Sequence, residues 1–130
     1  TEFADLQASQ DETGILKSRT YFNTLINSEI SSGIPSNRIV IGGFSQGGAI
    51  SIFSGITSPH KLGGIFGLSC YLLLHTKIQD LVTEAGNHNK DTKIFMGHGD
   101  ADPLVKPEWG RMTVNLLNKM GFRADLKMYP

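Results

Sequence analysis

The segment Arg38-Ile39-Val40-Ile41-Gly42-Gly43-Phe44-Ser45-Gln46-Gly47-Gly48-Ala49-Ile50 constrains the fold more than any other part of the chain. Four glycines flank one serine where an apolar run passes into a second apolar run. Glycine is a poor choice inside strands and helices, so its concentration here points to a backbone shape or a clearance that side chains forbid. The first run, Arg38 to Gly43, is apolar on both faces, as a parallel strand is when helices cover its sheet. The second reads as a helix from about residue 46 to 57, ended by Gly55 and Pro59. The unit is a strand, a tight turn and a helix.

The same cycle recurs along the chain. Before it, Ile15, Phe22, Leu25, Ile26 and Ile30 recur at helical spacing, predicting an amphipathic helix over about 12–32 that Gly33 and Pro35 stop. Residues 1–10 read as a polar loop, with Ser9 and Glu12 able to form a capping box. After it, Gly64 to Ser69 predicts a short strand, residues 75–86 an irregular or helical segment, and Lys93 to Gly97 another strand. Pro107 opens a helix with Trp109, Met112, Leu116, Leu117 and Met120 on one face; Gly121 closes it, and Asp125 to Tyr129 forms a last strand. Alternating strands and helices imply an α/β fold, a mainly parallel sheet with helices on both faces and right-handed crossovers. No internal repeat or low-complexity linker divides the chain, so residues 1–130 read as a single domain. Four strands make a small sheet with open apolar edges, and the domain is expected to be incomplete at both ends.

Gly43-Phe44-Ser45-Gln46-Gly47 fits G-x-S-x-G, the nucleophile elbow, in its proper strand–turn–helix setting. The chemistry needs this spacing. A sharp turn lifts the serine oxygen above the sheet, and glycines two residues to either side let neighbouring backbone pass without Cβ clashes. The helix that starts at Gln46 points free amides and the positive end of its dipole at a developing oxyanion, and the Gln46 N–H is the expected donor. A P-loop would need lysine where Gly48 stands, and the dinucleotide fingerprint does not register here. The competing reading is a tightly packed turn in which Ser45 only caps the helix.

A nucleophilic serine needs a base and an acid that orients the base, in the chain order Ser, Asp or Glu, then His. His98-Gly99-Asp100-Ala101-Asp102-Pro103 follows the Lys93–Gly97 strand, where the acid belongs, and on spacing either Asp100 or Asp102 serves. The histidines His60, His75, His88 and His98 all precede Asp102.

Composition removes other classes. Lys plus Arg and Asp plus Glu number 12 each without basic clustering, so a nucleic-acid or anionic-membrane partner has no electrostatic footprint. Cys70 is the single cysteine and no Asn-x-Ser/Thr site occurs, which favours a reducing cytosolic compartment. No apolar run approaches the ~18 residues needed to span a bilayer. No cluster has metal-ligand spacing, and no metal or cofactor is expected. Lys106, Glu108 and Arg111 read as a solvated helix start. Cys70, Tyr71 and Leu72 to Leu74 follow a strand that should end near the serine, so they are candidates to line an acyl channel as well as to pack the core.

Taken together, IPSNRIVIGGFSQGGAISIFSG, KLGGIFGLS and MGHGDADPLV resemble the acyl-protein thioesterase and carboxylesterase family of α/β-hydrolases, its fungal members above all. The resemblance runs over nearly the whole chain and is weakest in residues 1–11 and 75–92. It implies an α/β-hydrolase fold, Ser45 as nucleophile, Asp102 as triad acid and the Gln46 N–H as half of the oxyanion hole. It further implies an N-terminal strand and oxyanion loop, and a catalytic histidine beyond Lys127-Met128-Tyr129-Pro130, neither of which this chain contains. His98 matches a family position that is not the base. The implied function is a serine hydrolase that cleaves long-chain acyl thioesters, such as palmitoyl groups on protein cysteines. A lysophospholipase or general carboxylesterase is the alternative enzyme, and an inactive hydrolase used as a binding module the alternative outside catalysis. Acylated proteins or lysophospholipid-like substrates are the expected partners, in the cytoplasm with the nucleus as a second location. The 130 residues alone are expected to be inactive.

Overall fold

The computed structural model describes residues 10–130. In chain order the elements are α1 (Glu12–Ser31), a 3-10 turn (Ser36–Arg38), β1 (Val40–Phe44), α2 (Gln46–Ile56), β2 (Gly64–Leu68), α3 (Ile78–Ala85), β3 (Lys93–Gly99), α4 (Pro107–Lys119) and β4 (Arg123–Tyr129). The four strands form one sheet in the order β1-β2-β3-β4, every neighbouring pair parallel.

Local chemistry sets the element ends. The Asp11 carboxylate accepts the Gly14 amide at 3.1 Å and caps α1, whereas Ser9 of the expected capping box lies outside the described residues. Gly33, at φ +104°, adopts the left-handed turn after α1 that a side chain would resist. β3 runs two residues beyond its expected end because Gly97, His98 and Gly99 pair with Lys127, Met128 and Tyr129 of β4. The glycines and the histidine hide that extension from any reading of hydrophobic alternation.

α2 is the buried centre of the fold. Every residue from Gly48 to Ile56 is buried, with β1 and β2 on one side and α1 on the other. Two buried hydroxyls bond back to the helix: Ser51 donates to the Gly47 carbonyl and Thr57, just past the helix, to that of Phe53, each at 2.7 Å. Gly55 allows the helix to seat on β2, since a Cβ there would meet the Ile65 side chain at 2.5 Å. Ile52, Phe53, Ile56, Ile65, Ile94, Met96 and Leu117 form the dry core between α2, α4 and the sheet. At the opposite end from the site, buried Asn89 donates to the Gly55 and His60 carbonyls and accepts from the Leu62 amide and the Thr92 hydroxyl. It ties together the segments that enter β2 and β3, with its amide satisfied on both ends.

Helices were expected on both faces of the sheet. Among the described residues they cover one. α2 packs on β1 and β2, α4 on β3 and β4, and α1 lies behind α2. The other face presents Val40, Phe44, Phe66, Leu68 and Phe95, each between 36% and 68% exposed. Val40 and Phe44 are the outward apolar residues of β1, and their exposure shows which side is open here.

Candidate active site

The C-terminal ends of three neighbouring parallel strands converge at one edge of the sheet, and each carries a polar loop. Ser45 follows β1, Ser69 follows β2, and Asp100 to Val105 follow β3. Ligand and catalytic sites of open α/β sheets gather at such carboxyl ends.

Ser45 sits at φ 56° and ψ −120°, a conformation that costs a side-chain-bearing residue about 1–3 kcal/mol and persists only where its surroundings impose it. Two bonds hold it there: its amide donates to the Leu68 carbonyl at 2.7 Å, and its carbonyl accepts from Ala49 at 3.0 Å. That second bond is the first of the helix ladder, so the amides of Gln46, Gly47 and Gly48 precede it. The Ser45 side chain makes no capping bond to them, which disposes of the serine as a mere helix cap. Its oxygen and the amides are left for other partners.

The glycines divide their work differently from the expected pattern. A Cβ on Gly43 would lie 2.6 Å from the Gly47 carbonyl carbon, and one on Gly48 would lie 2.7 Å from the Gly43 carbonyl oxygen. Gly47 has nothing within 4 Å of its Cβ position. The close approach is therefore between Gly43 and the Gly47–Gly48 backbone, and Gly48, outside the pentapeptide, is the second glycine it requires.

The acid loop distinguishes its two aspartates. Asp102 Oδ1 accepts from the Leu104 amide at 2.9 Å and the Val105 amide at 3.0 Å. The Val105 amide first, then that of Leu104, hold the Asp102 carboxyl below the usual carboxylate range; burial opposes them, and His98 and the Ser69 side chain act in the same direction as the amides. Asp100 is exposed, and its backbone amide donates to the Tyr129 carbonyl at 2.7 Å. Asp102 is the residue whose carboxylate the fold orients.

Ser69, also at positive φ (52°), donates its amide to Gly97 at 2.8 Å. The Leu68–Ser69 pair thus links the elbow on one side to β3 on the other. Serine carries no sequence mark of that conformation, so nothing in the chain announces it.

The residues expected to line an acyl channel, Cys70, Tyr71 and Leu72 to Leu74, separate: of these only Tyr71 and Leu73 line the groove. Tyr71 and Leu73 border an open groove of about 800 Å³ between the first turns of α1 and α2, together with Phe22, Gln46, Gly47 and Ile50. Cys70 does not line this groove; it is 0% exposed and packs between Gly48 and Gly67, and burial pushes its thiol up to about 12. Leu72 is buried behind the groove, its amide held by the Thr113 hydroxyl at 2.8 Å. Tyr71 meets Trp109 edge to face at 5.9 Å, which fixes the groove wall to α4. Among the described residues no cluster of three His, Cys, Asp or Glu could hold a metal, and no helix is long and apolar enough to cross a membrane.

The chain is 54% identical over 125 residues to acyl-protein thioesterase 1 of Neurospora crassa, covering 96% of the chain and 51% of that protein. It is 49% identical to acyl-protein thioesterase 1 of Emericella nidulans, over 92% of the chain and 50% of that protein. The chain therefore spans about half the length of the curated relatives it matches. Among solved structures, that of Arabidopsis thaliana SOBER1 superposes with a TM-score of 0.82 at 31% identity, over 92% of this chain and 56% of that one. The Zea mays acyl-protein thioesterase 2 superposes at 0.75 with 23% identity, over 90% and 55%, and shows the shared fold. The phospholipase/carboxylesterase family model matches residues 2–130, and the chain belongs to that family of α/β-hydrolases.

Proposed function

We propose that the protein carrying this chain is a serine hydrolase that removes long acyl chains from protein cysteines. The observation that carries the reading is the strained elbow, which leaves the Ser45 oxygen uncapped beside the unladdered amides of α2. Identity of about half to proteins named acyl-protein thioesterase supports the thioester as substrate.

In this reading Ser45 Oγ attacks the thioester carbonyl and its proton passes to a histidine base. The carbonyl oxygen becomes an oxyanion that accepts from the Gln46 amide, the residue after the nucleophile. The C–S bond breaks, the cysteine thiol leaves with the proton, and water then hydrolyses the acyl-serine by the same steps. Two backbone amides fix Asp102 Oδ1, with Ser69 and His98 beside the carboxylate, and the acid so oriented is the one assigned to the base. Chain order puts that base after Asp102, and none of the four histidines here follows it. His98 is fully buried with Nε2 committed to the Val105 carbonyl, which supports the reading that these 130 residues alone are inactive. The groove beside Gln46 has mixed walls, Asp11, Lys17 and Ser18 as well as Phe22, Ile50, Tyr71 and Leu73, and its apolar part is the place assigned to the acyl chain. The expected setting is the cytoplasm, with acylated proteins as partners.

Turnover of a palmitoylated cysteine peptide, a lysophospholipid and a short-chain oxygen ester by the full-length protein tests the assignment. The thioester should give the highest kcat/KM. Preference for the lysophospholipid would make the protein a lysophospholipase, and no turnover of any would leave it a binding module.

A further inference from the structure

His98 lies in β3, directly before the acid loop, and its side chain is 0% exposed. Its Nε2 is 2.8 Å from the Val105 carbonyl oxygen and 3.8 Å from Asp102 Oδ2. A carbonyl only accepts, so Nε2 carries the hydrogen and donates. Nδ1 is buried without a hydrogen-bond partner, and α4 closes over it: a Cβ on Gly110 would come within 2.8 Å. A residue kept only for packing gains nothing from a buried nitrogen left unpaired, which is a cost in itself. The donor on the other side of the ring is what the position uses.

The Val105 unit that His98 grips also holds the acid. Its carbonyl is fixed by His98, and its amide, with that of Leu104, fixes Asp102 Oδ1. We propose that His98 is a positioning residue for Asp102, acting through Val105 to hold the acid loop so that Asp102 Oδ2 faces the catalytic base. The proposal rests on the reading of Asp102 as triad acid. His98 is thus close to the reaction without taking part in its proton transfers.

The test is a double-mutant cycle in the full-length protein with His98→Leu, Asp102→Asn and the two combined. His98→Leu should lower kcat by about 10- to 100-fold, the range for a catalytic group misplaced by about 1 Å, with KM changed less than about twofold. His98→Gln, which keeps a donor within reach of Val105, should recover most of that loss. In the Asp102→Asn background His98→Leu should change kcat less than about twofold. Where His98→Leu does not fold, His98→Asn takes its place, since its shorter amide stops short of the Val105 carbonyl. Equal losses of kcat in both backgrounds, with a large Asp102→Asn effect, would overturn the positioning role alone. An Asp102→Asn loss under about tenfold would overturn the acid assignment and the positioning role with it.

Discussion

Gly43 and Gly48 pass so closely at the elbow that a Cβ on Gly48 would lie 2.7 Å from the Gly43 carbonyl oxygen. Neither backbone can give way, because β1 is paired to β2 and α2 is buried from Gly48 onward. Gly48→Ala should therefore destabilise the protein by about 1–3 kcal/mol, as overpacking does. Gly47→Ala, with nothing within 4 Å of its Cβ position, should be neutral or stabilising by up to about 1 kcal/mol through helix propensity. Urea denaturation of both variants checks this; the reverse order would contradict the packing described.

Asp102 makes stability depend on pH in a set direction. The Val105 and Leu104 amides hold its folded pKa below the unfolded value, so its ionised form contributes stability above the unfolded pKa. That contribution is lost as pH falls through the folded pKa. The gap in urea midpoint between parent and Asp102→Asn should hold steady from about pH 7 to 5 and shrink below about pH 4. A gap that widens on acidification would contradict the bonding pattern.

Most of the sheet was legible because Ile39 to Ile41, Ile65 and Phe66, and Ile94 to Met96 are apolar runs bounded by turn residues. The elbow was legible because strand, G-x-S-x-G and helix stand in one continuous segment. What was hidden depends on contacts between segments. Gly47 was expected to provide the clearance that Gly48 provides, because only the packing of α2 against Gly43 tells them apart. Cys70 and Tyr71 are adjacent in sequence, yet one packs against Gly48 and the other faces the groove, a division set by the turn after Ser69. Spacing left Asp100 and Asp102 equal; the Leu104 and Val105 amides separate them.

Cys70 should be chemically silent. Burial raises its thiol to about 12, so at neutral pH the thiolate that attacks electrophiles is scarce as well as enclosed. Iodoacetamide at pH 8 should modify Cys70 only after denaturant is added, as read by intact mass. Rapid alkylation of the native protein would show that the segment after β2 opens in solution.

The uncovered sheet face has a consequence for the 130 residues on their own. Phe44 at 68% and Val40 at 59% exposure stand on β1, which among the described residues is also an edge of the sheet. An apolar face at an unpaired edge favours association. The isolated chain should bind a hydrophobic dye and grow in apparent mass with concentration in light scattering, and Val40→Lys with Phe44→Lys should reduce both. A monomeric, dye-silent chain would contradict this.

Ser45 stands or falls as the nucleophile on where a covalent acyl or phosphonyl adduct forms. The measurement is peptide mass mapping of the full-length protein after reaction with a long-chain fluorophosphonate, beside a Ser45→Ala control. The adduct should map to Ser45 at one per molecule, with none on the control. An adduct on Ser51, Ser54 or Ser69, or labelling that persists in Ser45→Ala, would contradict the assignment.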